Sequence, residues 1–256
     1  MSDFERLSEG QVDLWFCVPK KIADADLEGY CEQVLNSGER EHHTGLKTDH
    51  RLEYLVSRAL LRTTLSHYLP GSPEDWTFRR NHYGKPELES DLAGAGPLRF
   101  NLSQTRGLTL CAVTSGHDIG VDVEFRADSQ GMAGVADHYF SERELADLRQ
   151  LPEAEQEQAF FHYWTLKEAY IKARGEGLSI PLDSFSFLLG EGGSLPGFLP
   201  PPGDEAENQW DFRLYQPGAD YTAAVALQAP IQRIRLFESW CTAYRELDDI
   251  DQLFAE

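Results

Sequence analysis

Two stretches with helical apolar spacing, 48–69 and 153–174, dominate a chain otherwise made of short strand-like runs. In the first, Leu52, Leu55, Val56, Ala59, Leu60 and Leu65 form one stripe, and Pro70-Gly71 stops it. The second closes at Gly175-Glu176-Gly177. Strand patterns surround the first helix at 12–18, 76–78, 98–102 and 108–114. They surround the second at 119–125, 185–189, 210–215 and 221–227. The order strand, helices, strands therefore occurs twice. That predicts an α+β fold made of two similarly built halves packed together. No residue-level repeat accompanies the doubled order. The halves are placed at 1–116 and 117–230, with 231–256 a tail of unassigned role.

Smaller elements fill in around this frame. A short helix is expected over 24–35, ended by Asn36-Ser37-Gly38. The turn Ser115-Gly116-His117-Asp118 predicts that the strands on either side form a hairpin. Ser141-Glu142-Arg143-Glu144 is a capping box opening a helix to about Leu151. Residues 190–209, rich in Gly, Pro and acid, read as a mobile loop.

Charge narrows the function classes. The chain has 43 acidic and 23 basic residues, net −20. This opposes nucleic-acid binding, which needs cations to displace counterions, and docking on an anionic membrane. No apolar run reaches the roughly 20 residues that span a bilayer. The acidic start, Met1 to Arg6, lacks the order of a signal peptide. Cys17, Cys31, Cys111 and Cys241 are widely spaced, without a Cys-x-x-Cys pair. A cytoplasmic protein with reduced thiols is expected.

Nucleophile-elbow, phosphate-loop, dinucleotide and His-Glu-x-x-His signatures are all missing. What remains is Gly120-Val121-Asp122-Val123-Glu124. In a strand, Asp122 and Glu124 share one face while Val121 and Val123 share the other. Two converging carboxylates repel unless a cation joins them, and Mg²⁺ takes such oxygen ligands. Two acids on the solvent face of an edge strand would give the same pattern. A second constellation is Trp164-Thr165-Leu166-Lys167-Glu168-Ala169-Tyr170-Ile171-Lys172. Trp164, Glu168 and Lys172 fall at i, i+4 and i+8, forming one helical stripe. It is either an ordinary surface ion pair or, with Trp164 buried, a cleft edge where Glu168 could complete a metal site or act as base and Lys172 could hold phosphate. Lys85 of Tyr83-Gly84-Lys85-Pro86 projects from a turn, held extended by the proline. Phe100-Asn101-Leu102-Ser103-Gln104-Thr105 ends a strand in small hydrogen-bonding side chains. Both segments suit an anion, and both also suit ordinary turns.

Taken in this order, the four segments resemble the Sfp-type 4′-phosphopantetheinyl transferases, with similarity over about 40–227. Gly177-Leu178-Ser179-Ile180-Pro181-Leu182-Asp183 is also similar to that family. The resemblance implies a pseudo-twofold pair of α+β halves with the active site between them. It implies Mg²⁺-dependent transfer of the 4′-phosphopantetheine arm of coenzyme A to a serine of an acyl or peptidyl carrier protein. Adenosine 3′,5′-bisphosphate is the by-product. Carried over by position, Asp122, Glu124 and Glu168 would hold the metal and Glu168 would also act as base. Lys172 would stabilise charge and protonate the leaving phosphate. Lys85, Ser103, Gln104, Arg51 and Lys172 would contact coenzyme A. Gln104 replaces the histidine of many members and lacks its positive charge. The early basic residues for the nucleotide end are not clearly matched; Arg40, Lys47 and Arg51 are candidates, while Arg58 and Arg62 suit a structural role. Two other readings remain: a Mg²⁺-dependent phosphohydrolase using the same carboxylates, and a non-catalytic module binding coenzyme A or a carrier. Two halves in one chain imply a monomer.

Overall fold

The computed structural model describes residues 5–22, 25–89, 98–126, 132–190, 197–203 and 209–254. The acidic start at 1–4 and parts of the 190–209 loop lie outside these residues. Twelve strands are described: β1 (Gln11–Cys17), β2 (Phe78–Arg80), β3 (Pro86–Leu88), β4 (Leu98–Thr105), β5 (Leu108–Ser115), β6 (Ile119–Phe125), β7 (Ser186–Leu188), β8 (Gly197–Leu199), β9 (Asp211–Tyr215), β10 (Tyr221–Leu227), β11 (Arg233–Ser239) and β12 (Tyr244–Leu247). The α-helices are α1 (Ala25–Val34), α2 (Ser37–Gly45), α3 (Thr48–Tyr68), α4 (Met132–Tyr139), α5 (Glu142–Gln150) and α6 (Glu153–Arg174).

The class is α+β, as expected. One sheet has the order β12-β11-β1-β5-β4, and a second the order β6-β10-β9. Strand alternation divides the apolar residues into three cores. Trp15, Cys111, Val113 and Phe100 face α1 and α3. Val12, Leu14, Phe16, Leu110 and Ala112 turn the other way, onto Val121, Val123, Ala223 and Val225 of the second sheet. Ala224 and Ala226 then face α6. The result is a helix–sheet–sheet–helix stack in which each long helix covers one sheet. Because β1 lies between two cores, all seven of its residues are buried.

Three local expectations change. β5 and β6 do not form a hairpin. Both edges of β5 are already taken, by β1 and β4, so β6 crosses to the second sheet and pairs β10. The helix expected over 24–35 is α1 and ends at Val34, but Asn36-Ser37-Gly38 is more than a stop, because it also opens α2. Asn36 accepts from Glu39 N–H, and the Glu39 carboxylate accepts from Asn36 N–H, a reciprocal box that stabilises the start of a helix. Residues 231–254 build β11 and β12, with β11 parallel to β1.

Candidate active site at the β6–α6 face

The site grows from the contact between β6 and α6. Gly120, Asp122 and Glu124 alternate toward the helix, while Val121 and Val123 enter the core between the sheets. A Cβ at Gly120 would lie 2.0 Å from Ala169 O and 2.4 Å from Ala173 N. Only glycine lets the strand approach the helix this closely. That approach brings Asp122 under Lys172: the ammonium donates to Asp122 Oδ1 at 2.5 Å and to Ser103 Oγ at 3.1 Å. Ser103 Oγ also donates to Asp122 Oδ1 at 3.0 Å. Residues from β4, β6 and α6 thus meet in one knot.

One turn before Glu168, half-buried Trp164 donates its indole N–H to Glu124 Oε1 at 3.2 Å. Burial, with Asp122 and Glu168 beside it, pushes the Glu124 carboxyl up to about 7, against the lowering pull of Trp164 and Lys172. Burial and Asp122 also raise Glu168, against Lys172. Burial opposes charge on Lys172, but Asp122, Glu168 and Glu124 outweigh it and hold the ammonium above its usual range. Three acids thus share one cation, in surroundings that favour a second.

Among the described residues, no three His, Cys, Asp or Glu side chains stand as a ready-made metal cage. The donor chemistry nevertheless fits a hard cation. Asp122 Oδ2 is buried without a partner, and mutually repelling carboxylate oxygens are what Mg²⁺ takes, with phosphate oxygens and water completing its shell.

The other predicted residues sit further out. Lys85 donates to Ala173 O at 2.7 Å and Ile119 O at 3.3 Å, which ties the β2–β3 hairpin to the end of α6. Burial lowers its pKa. Asn81 reinforces this junction through Gly175 O at 2.8 Å. Gln104 is exposed and, by strand alternation, on the face of β4 opposite Ser103. Arg51 is exposed and donates to Leu46 O and Thr44 O, bracing the turn between α2 and α3. Arg62 is buried, bonded to Glu39, Pro73 O and Trp76 O, in the structural role expected of it. Asn101 and Thr105 have a role that was not expected of them. Asn101 Oδ1 accepts from Val121 N–H, and Thr105 Oγ1 from Phe125 N–H. Their signal was visible as alternation of small acceptors with Phe100 and Leu102.

Known proteins match parts of this sequence. A sequence model described as the 4′-phosphopantetheinyl transferase superfamily matches residues 118–226, which span β6, α6 and all but the last residue of β10. The 4′-phosphopantetheinyl transferase HetI of Nostoc sp. is 39% identical over 131 residues, covering 51% of this chain and 55% of HetI. The 4′-phosphopantetheinyl transferase Sfp of Bacillus subtilis is 32% identical over 176 residues, covering 69% of this chain and 74% of Sfp. A holo-(acyl-carrier-protein) synthase from Bacillus anthracis, solved in complex with CoA (3′,5′-ADP), superposes with a TM-score of 0.37 at 16% identity, over 44% of this chain and 96% of that one. With a relative above 30% identity matched over 74% of its length, and with the β6 and α6 motifs inside the span of the superfamily model, the chain belongs to the 4′-phosphopantetheinyl transferase family.

Proposed function

We propose that this protein transfers the 4′-phosphopantetheine arm of coenzyme A to a serine hydroxyl of an acyl or peptidyl carrier protein. The observation that carries this reading is the knot of Lys172, Asp122 and Ser103, flanked by two carboxyls whose pKa values are raised. The serine Oγ forms a bond to the β-phosphorus of coenzyme A, and the bond from that phosphorus to the bridging oxygen breaks. Adenosine 3′,5′-bisphosphate departs. Glu168 takes the serine proton, a role helped by its raised pKa. Lys172, held protonated, faces the charge that develops on the phosphoryl oxygens. The leaving phosphate, whose second pKa is about 6, needs no proton at neutral pH. Lys172 therefore acts as a fixed charge more than as an acid.

Asp122, Glu124 and Glu168 would hold Mg²⁺, which supplies Lewis-acid neutralisation of the pyrophosphate. Lys85, Gln104 and Arg51 belong to the coenzyme A contacts of this reading. Lys85 reaches that role by exchanging its carbonyl partners for phosphate. We place the enzyme in the cytoplasm as a monomer, with neither nucleic acid nor membrane as partner. Among the described residues, no helix is long and apolar enough to cross a membrane.

The test is a mass measurement. Protein, Mg²⁺, coenzyme A and an apo carrier should yield a carrier heavier by one phosphopantetheine, and Asp122→Ala should abolish the gain. A carrier of unchanged mass, accompanied by breakdown of coenzyme A, would identify a phosphohydrolase instead. Binding of coenzyme A without transfer or breakdown would identify a non-catalytic module.

A further inference from the structure

β4 and β6 are edges of two different sheets that lie against each other, yet among the described residues no backbone ladder joins them. β4 pairs β5, and β6 pairs β10. Three β4 side chains take the ladder's place. Asn101 Oδ1 accepts from Val121 N–H at 2.9 Å, Ser103 Oγ from Val123 N–H at 3.3 Å, and Thr105 Oγ1 from Phe125 N–H at 3.2 Å. The acceptors repeat every two residues, and so do the donors.

The strand register explains why polar residues stand here. Leu14 of β1 lies opposite Ala112 of β5, which lies opposite Asn101; Phe16, Leu110 and Ser103 form the next such row. Each row is apolar across the core between the sheets and ends in an acceptor where it meets the open edge of β6. An edge N–H shut away from water without a partner is costly, and a short side-chain acceptor on the last strand removes that cost. Asparagine supplies the oxygen without charge, whereas aspartate at 101 would bring a further carboxylate toward a site already crowded with them.

The bonded N–H groups bracket the functional acids. Those of Val121 and Val123 flank Asp122, and those of Val123 and Phe125 flank Glu124. The backbone that carries both carboxylates is therefore held on one side by β10 and on the other by this column. Ser103 has a second task in the Lys172 knot, whereas the Asn101 and Thr105 side chains have only this one among their described side-chain hydrogen bonds. We infer that Asn101 and Thr105 are positioning residues for the Asp122 and Glu124 carboxylates, acting through the β6 backbone across the seam between the two sheets. This rests on the reading of those acids as divalent-cation ligands.

The test separates positioning from general stability. Mg²⁺ is titrated calorimetrically into the full chain saturated with coenzyme A, without carrier, so that nothing turns over. Thr105→Val keeps the side-chain shape and removes the acceptor; Asn101→Leu does the same at the other end. Each should weaken Mg²⁺ binding about tenfold or more. Coenzyme A affinity in the absence of Mg²⁺ should stay within about twofold. Thr105→Ser, which keeps the acceptor, should bind Mg²⁺ as the parent does. Hydrogen exchange of the segment 119–126 gives a second readout, with faster exchange in Thr105→Val and parental exchange in Thr105→Ser. If Asn101→Leu fails to fold, the Thr105 pair decides alone.

Parental Mg²⁺ affinity in folded Thr105→Val overturns the inference. So does equal weakening in Thr105→Ser, and so does a parent that binds no Mg²⁺. The carrier mass assay on the parent is read independently. A parent that transfers while Thr105→Val binds Mg²⁺ normally removes the positioning role and leaves the transferase reading intact. A parent that binds Mg²⁺ but transfers nothing removes the transferase reading, and the calorimetric comparison still decides the positioning.

Discussion

Lys172 balances the charge of the β6–α6 face. Its ammonium lies 2.5 Å from Asp122 and also pulls down the pKa values of Glu124 and Glu168. Lys172→Met should therefore lower kcat by about 100-fold, the scale of losing one electrostatic donor in a transition state. Steady-state kinetics on a carrier checks this, and a loss confined to KM would contradict it. Glu124 gives a prediction in pH. Its folded pKa, about 7, lies above the ordinary value of 4.5, so its proton stabilises the fold at low pH. That stabilisation is lost as pH rises from 4.5 through 7, at up to about 1.4 kcal/mol per pH unit. Relative to the parent, Glu124→Gln without metal or coenzyme A should gain stability between pH 5 and pH 7. Urea denaturation at the two pH values measures the gain, and an equal difference at both would refute the argument. Which residues share a face was readable beforehand: alternation paired Asp122 with Glu124, and helical spacing aligned Trp164, Glu168 and Lys172. Their meeting was not readable, because Ser103 and Lys172 lie 69 residues apart, a separation that local periodicity cannot bridge.

At the scale of elements, the approach of β6 to α6 turns two separate patterns into one site. Gly120 is the contact point, and its missing side chain is what α6 fills. Gly120→Ala would force a methyl into the helix backbone at Ala169 and Ala173. The expected cost is about 3 kcal/mol or more, the upper range of overpacking. Activity should fall as well, since strand and helix would separate just where Asp122 meets Lys172. Chemical denaturation and kinetics of the same variant check both effects, and a stability loss below about 1 kcal/mol would mean the helix shifts without resistance. Glycine at 120 was visible in the sequence as the first member of the Gly-x-Asp-x-Glu alternation. Its reason was not, because the obstacle lies on a helix some fifty residues further along. The α2 start was legible in principle: Asn36 and Glu39 have capping-box spacing, but Ser37-Gly38 between them reads equally well as a helix stop. The hairpin expected at 115–118 failed for a non-local reason, the occupation of both β5 edges by β1 and β4.

At the scale of the molecule, chain order and spatial order part at the C-terminus. Arg233-Ile234-Arg235-Leu236-Phe237-Glu238-Ser239 alternates well enough for a strand, but nothing local indicates that its partner is β1, more than two hundred residues earlier. Three contacts make this return structural. Arg235 reaches Asp13 Oδ2 at 2.5 Å, and the Asp13 side chain is fully buried. Phe237 stacks on Trp15 at 4.3 Å between ring centroids. Glu238, also fully buried, pairs with Lys21 and Arg245. Removing residues 231–256 would open the β1 edge, uncover Trp15, and leave Asp13 with only Gln11 and Tyr68 as side-chain partners. We expect the 1–230 chain to accumulate as insoluble protein, or to melt without a cooperative transition by circular dichroism. Arg235→Met isolates the charge component. Stripping a buried carboxylate of its cation costs about 3–5 kcal/mol, so this variant should fold with a clearly lowered urea midpoint. A 1–230 chain that melts cooperatively and modifies a carrier at the full-length rate would reduce β11 and β12 to a dispensable edge. Residues 1–230 would then suffice for the fold, and the parallel strand beside β1 would be an addition to it.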